Sequence, residues 1–229
     1  MVNNISDRFA EVRGRIAHAA RACGRDPSSI TLIAVSKTFP AEVAADAVQA
    51  GATDLGENRV QEAAAKRPHV PAARWHLIGP LQRNKARLAL QNFDVIHTID
   101  RPDLVQRLEF LMDRDWPGDH QKVLVEVNVG RESQKAGVLA EEADELVGQV
   151  VDCDHLDVIG LMAIPPYQTD PEASRPYFAA LRELRDDLES RLAVPLPHLS
   201  MGMSHDFEIA IAEGSTMVRV GTAIFGQRG

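Results

Sequence analysis

Ile30-Thr31-Leu32-Ile33-Ala34-Val35-Ser36-Lys37 is a short apolar run, broken only by Thr31, that ends in a hydroxyl and an amine. Residues 30–35 read as a buried parallel strand. Upstream, Ile5, Phe9, Val12 and Ile16 stand at steps of four, three and four, one face of an amphipathic helix that Gly24 and Pro27 stop. Downstream, a helical stretch Ala41–Ala50 ends at Gly51, 53–56 reads as a strand, and Glu57–Lys66 reads as a helix halted before Pro68.

The alternation persists to the end of the chain. Strands are expected at 75–78 and 95–99, with a helix over 83–90 between them. The next helix starts at Arg101 with Asp100 as N-cap, Pro102 in the first turn and a stripe of Leu104, Leu108 and Leu111. Val123, Val125, Val127 and Val129 alternate along a fifth strand at 122–129, followed by a helix over 141–151 and a strand at 156–163. A long helix carries Tyr177, Leu181, Leu184, Leu188 and Leu192 on one face and closes at Pro195 and Pro197. Strands 198–201 and 216–220 flank a last helix through 207–212. Eight strand–helix units with short connections predict a single-domain (β/α)8 barrel over residues 1–229, preceded by one extra helix, with an open doubly wound sheet as the competitor.

Composition narrows the function classes. With 229 residues, 45% apolar and 25% charged, the chain can bury a full core, and its length accommodates one barrel without a second catalytic domain. A net charge of −8 opposes binding to nucleic acid backbones. No apolar run approaches the ~18 residues of a membrane span, and Met1–Asp7 lacks signal-peptide order, so a cytoplasmic protein is expected. Cys23 and Cys153, the only cysteines, read as small apolar side chains in a reducing compartment.

In such a barrel the residues just after each strand crowd one face, where the chemistry sits. Lys37, one residue past the first strand, is placed at the mouth, where desolvation lowers an amine's pKa and favours imine formation with a carbonyl. Its plainer reading is a lysine that snorkels into water. Arg219 lies within the apolar strand Met217-Val218-Arg219-Val220 and must point inward to an acceptor, either a ligand or an acid such as Glu126. Gly221-Thr222 and Ser200-Met201-Gly202-Met203-Ser204 follow the eighth and seventh strands, where barrels commonly hold phosphate on amides and hydroxyls. Amine, phosphate cup and inward arginine together suit an aldehyde that carries a phosphate, of which pyridoxal 5'-phosphate is the leading example.

These residues lie in segments that carry a family resemblance: Ala34-Val35-Ser36-Lys37-Thr38, Gly56-Glu57-Asn58-Arg59-Val60-Gln61-Glu62, Trp75-His76-Leu77-Ile78-Gly79-Pro80, Gly160-Leu161-Met162-Ala163, Leu199-Ser200-Met201-Gly202-Met203-Ser204 and Val218-Arg219-Val220-Gly221-Thr222. Over its whole length the chain resembles the pyridoxal phosphate homeostasis proteins, which share their fold with the N-terminal barrel of alanine racemase. The resemblance implies a fold-type III barrel without the C-terminal β domain. It implies Lys37 as the imine lysine, Ser204, Gly221 and Thr222 at the phosphate, Arg219 at the ring nitrogen and Asn58 lining the pocket. It further implies a monomer or weak dimer that buffers the cofactor and delivers it to apo-enzymes, without catalytic turnover. Arg59 and His205 depart from the family pattern, where an aromatic residue and an acidic or small residue are usual.

The rival is a pyridoxal phosphate enzyme such as a racemase, which needs an acid–base group on each face of the substrate. Tyr167 and Tyr177 are the only tyrosines, and neither sits in a racemase-like motif. A lysine-imine aldolase on a sugar phosphate is the third reading. Asp152-Cys153-Asp154-His155 reads as a solvated loop, not a metal site, Trp75-His76 as strand packing, and His205 as a helix-start histidine capped by Asp206.

Overall fold

Each of the eight strands is short and is followed by a helix, which forces parallel pairing. In the computed structural model, which describes residues 4–70 and 72–227, the strands pair in chain order and close into a barrel. They are β1 (Thr31–Val35), β2 (Asp54–Glu57), β3 (Arg74–Leu77), β4 (Val95–Ile99), β5 (Gln121–Glu126), β6 (Leu156–Met162), β7 (His198–Met203) and β8 (Met217–Val220). The ring is sealed by β8 lying against β1, from Thr31 opposite Met217 to Ala34 opposite Val220. Closure excludes the open sheet.

The helices are α1 (Ile5–Ala22), α2 (Ala41–Gln49), α3 (Val60–Lys66), α4 (Ala86–Asn92), α5 (Pro102–Asp115), α6 (Ala143–Val151), α7 (Arg175–Leu192), α8 (Phe207–Ala212) and α9 (Thr222–Phe225). The extra helix α1, capped by the Asn4 side chain accepting from the Asp7 amide at 2.9 Å, buries Phe9, Val12, Ile16 and Ala20 and packs on α8, α9 and α2. Among the described residues no helix is long and apolar enough to cross a membrane.

Alternation along the strands divides the buried residues in two. Leu32, Ala34, Leu55, Trp75, Val123, Val125, Leu199, Val218 and Val220 face the helices and belong to one large core with Leu104, Leu108 and Leu111 of α5. Each leucine so buried contributes roughly 1.5–3 kcal/mol. Val95, Leu124 and Met162 form a separate small cluster inside the ring. Around it the interior is polar: Asp54, His76, His97, Glu126, Ser200 and Arg219 are all buried.

Several details differ from the sequence reading, most of the strand and helix bounds by one to three residues. β5 stops at Glu126 instead of 129, because Asn128 bonds the Glu132 amide and carbonyl through its side chain and turns the chain away. α3 begins at Val60, since Glu57 is still in β2 and is held there by Ser36 and Lys66. Asp100 does not cap α5; Arg101 occupies that position and takes the Asp100 carboxylate at 2.5 Å. On α7 the buried stripe is Phe178, Leu181 and Leu188, with Tyr177 half-buried. The loop at 152–155 is docked onto α5 by Glu109, which accepts from the Asp154 and His155 amides and lies 2.9 Å from the His155 ring.

Candidate functional site

All six residues singled out in the sequence, Lys37, Asn58, Ser204, Arg219, Gly221 and Thr222, line one cavity of about 270 Å³ at the C-terminal mouth of the barrel. That is slightly smaller than the ~300 Å³ at which small-molecule sites begin, room for a single-ring ligand. Val35, Phe39, Ile78 and Ile164 supply its apolar wall. A larger cavity of about 610 Å³ lies at the opposite end, among Asp54, Arg74, Lys122 and His198. Its size is not matched by the amine, hydroxyls and guanidinium that converge at the mouth.

Lys37 is half-buried and sits on a clamped backbone. The preceding Ser36 is buried; its hydroxyl donates to Glu57 at 2.8 Å and its carbonyl accepts from the Lys66 ammonium at 2.9 Å. Lys66 also pairs with Glu57 at 2.6 Å. Burial raises the Glu57 carboxyl, against the opposing pull of Lys66. Thr38, directly after the lysine, has φ of 70°, a left-handed conformation a β-branched residue adopts only when its surroundings hold it. Its amide donates to Glu62 at 3.0 Å. Neither Lys66 nor Glu57 stood out in the sequence, because their pairing depends on α3 folding back under the end of β1.

Asn58 is brought to the wall by Gly79: a Cβ there would stand 2.4 Å from the Asn58 carbonyl oxygen, so only glycine lets the β2 and β3 loops nest. Across the mouth, the loops after β7 and β8 are tied by the Ala223 amide donating to Ser204 Oγ at 3.4 Å. Gly202, one residue before the end of β7, has φ of 91°, and a Cβ there would stand only 2.6 Å from the Ala210 side chain. Gly221 leads into α9, and Phe39 packs on Phe225 of that helix with ring centroids 5.4 Å apart. The structure therefore joins the loops after β1, β7 and β8 into one rim.

Arg219 is buried, and its guanidinium does not bond Glu126: Nη1 donates to the Ser200 carbonyl and hydroxyl at 2.7 Å each, and Nη2 donates to the Ala163 carbonyl at 2.9 Å. Burial draws its pKa down to about 10, while Glu126 and Asp206 raise it, so it stays cationic at neutral pH. Glu126 acts only through space; its Oε2 is buried without a hydrogen-bond partner, and burial pushes the carboxyl up to about 7. Asp206 does not cap His205 but accepts from the Met203 amide at 2.8 Å. His205 is exposed, stacked on Tyr167 at 5.7 Å between ring centroids, and both line the rim.

His76 is not mere strand packing. Its Nδ1 lies 2.9 Å from His97 Nε2 and its Nε2 lies 2.8 Å from Asp54 Oδ1. The rest of this buried array, running to Ser200, is invisible in sequence because it crosses the barrel.

An amine at the end of the first strand, hydroxyls and glycines after the seventh and eighth, and an inward arginine beside them define a barrel of the alanine racemase N-terminal type. The family profile described as alanine racemase, N-terminal domain, matches residues 10–229. The chain is 44% identical over 228 residues to the pyridoxal phosphate homeostasis protein of Aquifex aeolicus, covering 98% of this chain and 99% of the relative. It is 44% identical over 239 residues to the protein of the same name from Escherichia coli K12, covering 99% and 98%. The structure of PipY from Synechococcus elongatus PCC7942 with pyridoxal phosphate bound superposes with a TM-score of 0.84 at 35% identity, over 97% of this chain and all of that one. Alanine racemase of Corynebacterium glutamicum shares the fold, with a TM-score of 0.68 at 19% identity over 94% of this chain and 60% of the racemase. This chain belongs to the pyridoxal phosphate homeostasis protein family.

Proposed function

We propose that this protein binds pyridoxal 5'-phosphate and takes part in its homeostasis, holding the cofactor as an imine on Lys37 and releasing it to apo-enzymes. The observation that carries this reading is the convergence of an amine, two hydroxyls, a glycine turn and a guanidinium on one ring-sized cavity. With the cofactor in the cavity, Lys37 would supply the amine that condenses with its aldehyde, releasing water, and hydrolysis of that bond would free it again. Ser204, Thr222 and the Gly221 turn take the phosphate, and Asn58 borders the ring. Arg219, which only donates, faces the ring nitrogen and holds it unprotonated. That weakens the ring as an electron sink, which suits storage over turnover.

The racemase reading needs a second acid–base group fixed opposite Lys37. Tyr167, at the rim, is 80% exposed and stacked on His205, turned toward solvent. Two thiols, one exposed and one half-buried, support a cytoplasmic location. Large exposed apolar side chains among the described residues are Phe110, Val151 and Tyr167, scattered in a way that supports a monomer or weak dimer.

The test is a visible absorbance spectrum of protein loaded with the cofactor, followed by borohydride reduction and peptide mass analysis. An imine band and the reduced adduct on the Lys37 peptide are expected; an adduct on another lysine overturns the assignment. Incubation with L-amino acids is expected to give no racemisation at enzyme-like rates, and rapid turnover would favour the racemase.

A further inference from the structure

The interior of the ring holds five polar side chains in a continuous line. Arg219 Nη1 lies 2.7 Å from Ser200 Oγ, Ser200 Oγ 2.9 Å from His97 Nδ1, His97 Nε2 2.9 Å from His76 Nδ1, and His76 Nε2 2.8 Å from Asp54 Oδ1. These residues come from β8, β7, β4, β3 and β2, so the line spans the lumen between β7 and β4, which are not neighbours in the sheet. All five are buried, with His97 fully enclosed.

One direction of donation satisfies every atom of the line. Arg219 only donates, so Ser200 Oγ accepts from it, and in that direction the Ser200 hydroxyl proton goes onward to His97 Nδ1. Burial, with His76, Arg219 and His198 nearby, drives His97 well below the ordinary histidine range and leaves it neutral, its one proton on Nε2. That proton goes to His76 Nδ1, and His76 Nε2–H goes to the Asp54 carboxylate. Asp54 also accepts from Arg74 at 2.9 Å and Thr53 at 2.7 Å, and these bonds overcome burial to bring it to about 2. Every proton in the line thus points from the cation at the mouth to the anion at the floor. Aligned bonds of this kind polarise one another and stiffen the side chains they join.

We propose that Ser200, His97, His76 and Asp54 are positioning residues: a one-way hydrogen-bonded strut that fixes the Arg219 guanidinium toward the ring nitrogen of the bound cofactor. The strut rests on the pyridoxal phosphate reading of the mouth. Nη1 is committed to Ser200 and one N–H of Nη2 to Ala163, so among the described residues Nε and the second N–H of Nη2 are left for the ligand. Ser200 sets their direction, and the histidines and Asp54 set Ser200.

Two measurements test this. Nitrogen-15 NMR of the histidine-labelled apo-protein at neutral pH is expected to show the shared protons of the line on His97 Nε2 and His76 Nε2; a proton on Nδ1 of either ring overturns the strut. This readout stands even if the cofactor reading of the mouth fails. The second compares wild type with Ser200→Ala and Asp54→Asn for binding of pyridoxal phosphate and of its deaza analogue, in which carbon replaces the ring nitrogen. Wild type is expected to prefer the pyridine compound by about tenfold or more, a difference that corresponds to ~1.4 kcal/mol. Ser200→Ala is expected to erase that preference, and Asp54→Asn, at the far end of the lumen, to reduce it by about threefold. Equal losses for both ligands, with the preference intact, would reduce these residues to scaffold and overturn the proposal. Loss of borohydride-trapped adduct at Lys37 in wild type would instead sink the cofactor reading itself.

Discussion

The two faces of the same eight strands obey different rules. The outward face, Leu32, Leu55, Trp75, Val125, Leu199 and Val218 among others, is apolar and meets the helices in one continuous core. The inward face carries Asp54, His76, His97, Glu126, Ser200 and Arg219 beside a small apolar cluster of Val95, Leu124 and Met162. Outside, stability follows from area and fit, which tolerate exchange among side chains of similar volume. Inside, each polar group needs a particular partner, because an unsatisfied buried donor or acceptor costs about 1–3 kcal/mol. The lumen even holds both outcomes: Asp54, with three donors, is brought to about 2, and Glu126, with an orphaned oxygen, is pushed up to about 7.

The largest effect on this contrast is expected at the mouth. Lys37→Ala should abolish the borohydride-stable adduct completely while changing the urea unfolding free energy of the apo-protein by no more than about 0.5 kcal/mol, as for a site that serves chemistry and not packing. A loss of stability comparable to a core substitution would break the distinction. Next, Leu108→Ala on the fully buried face of α5 should cost about 2–5 kcal/mol by the same urea measurement, yet leave the adduct on Lys37 intact in the folded fraction.

Glu126→Gln sharpens the comparison through pH. The folded carboxyl titrates at about 7 against an ordinary 4.5, so wild-type folding gains from its protonated form below pH 4.5 and loses that gain as pH rises through 7. The neutral amide escapes the loss. Glu126→Gln should therefore match wild type near pH 4 and exceed it by up to about 3 kcal/mol above pH 8, measured as urea unfolding free energy across that range. A difference that does not vary with pH would mean that folding leaves the Glu126 carboxyl at its ordinary range.

How much of this was legible follows from which face a residue occupies. The eight strands, the leading helix and the Leu104–Leu108–Leu111 stripe were readable because packing against helices leaves a periodic apolar trace. That Lys37, Ser204, Arg219, Gly221 and Thr222 would meet in one cavity was readable because strand ends in a barrel share one mouth. The resemblance, and not periodicity, supplied Asn58. Ser200 was read with Ser204 as part of the loop after β7, but it lies within β7 and is buried in the lumen, and His97 left no trace; their contact arises only when β4 and β7 face each other across a closed ring. The Ser36–Glu57–Lys66 clamp was hidden for a related reason, since its members are separated by up to 30 residues and meet only through the return of α3. Asp100 misled because its neighbour Arg101 outcompetes the helix amides for its carboxylate.

The seam between β8 and β1 sets Ala34 beside Val220, so the loop bearing Lys37 and the loop bearing Thr222 are made neighbours by the final join of the ring. During synthesis Lys37 emerges almost two hundred residues ahead of Thr222, so the cavity that both line takes shape only when the last strand is laid against the first.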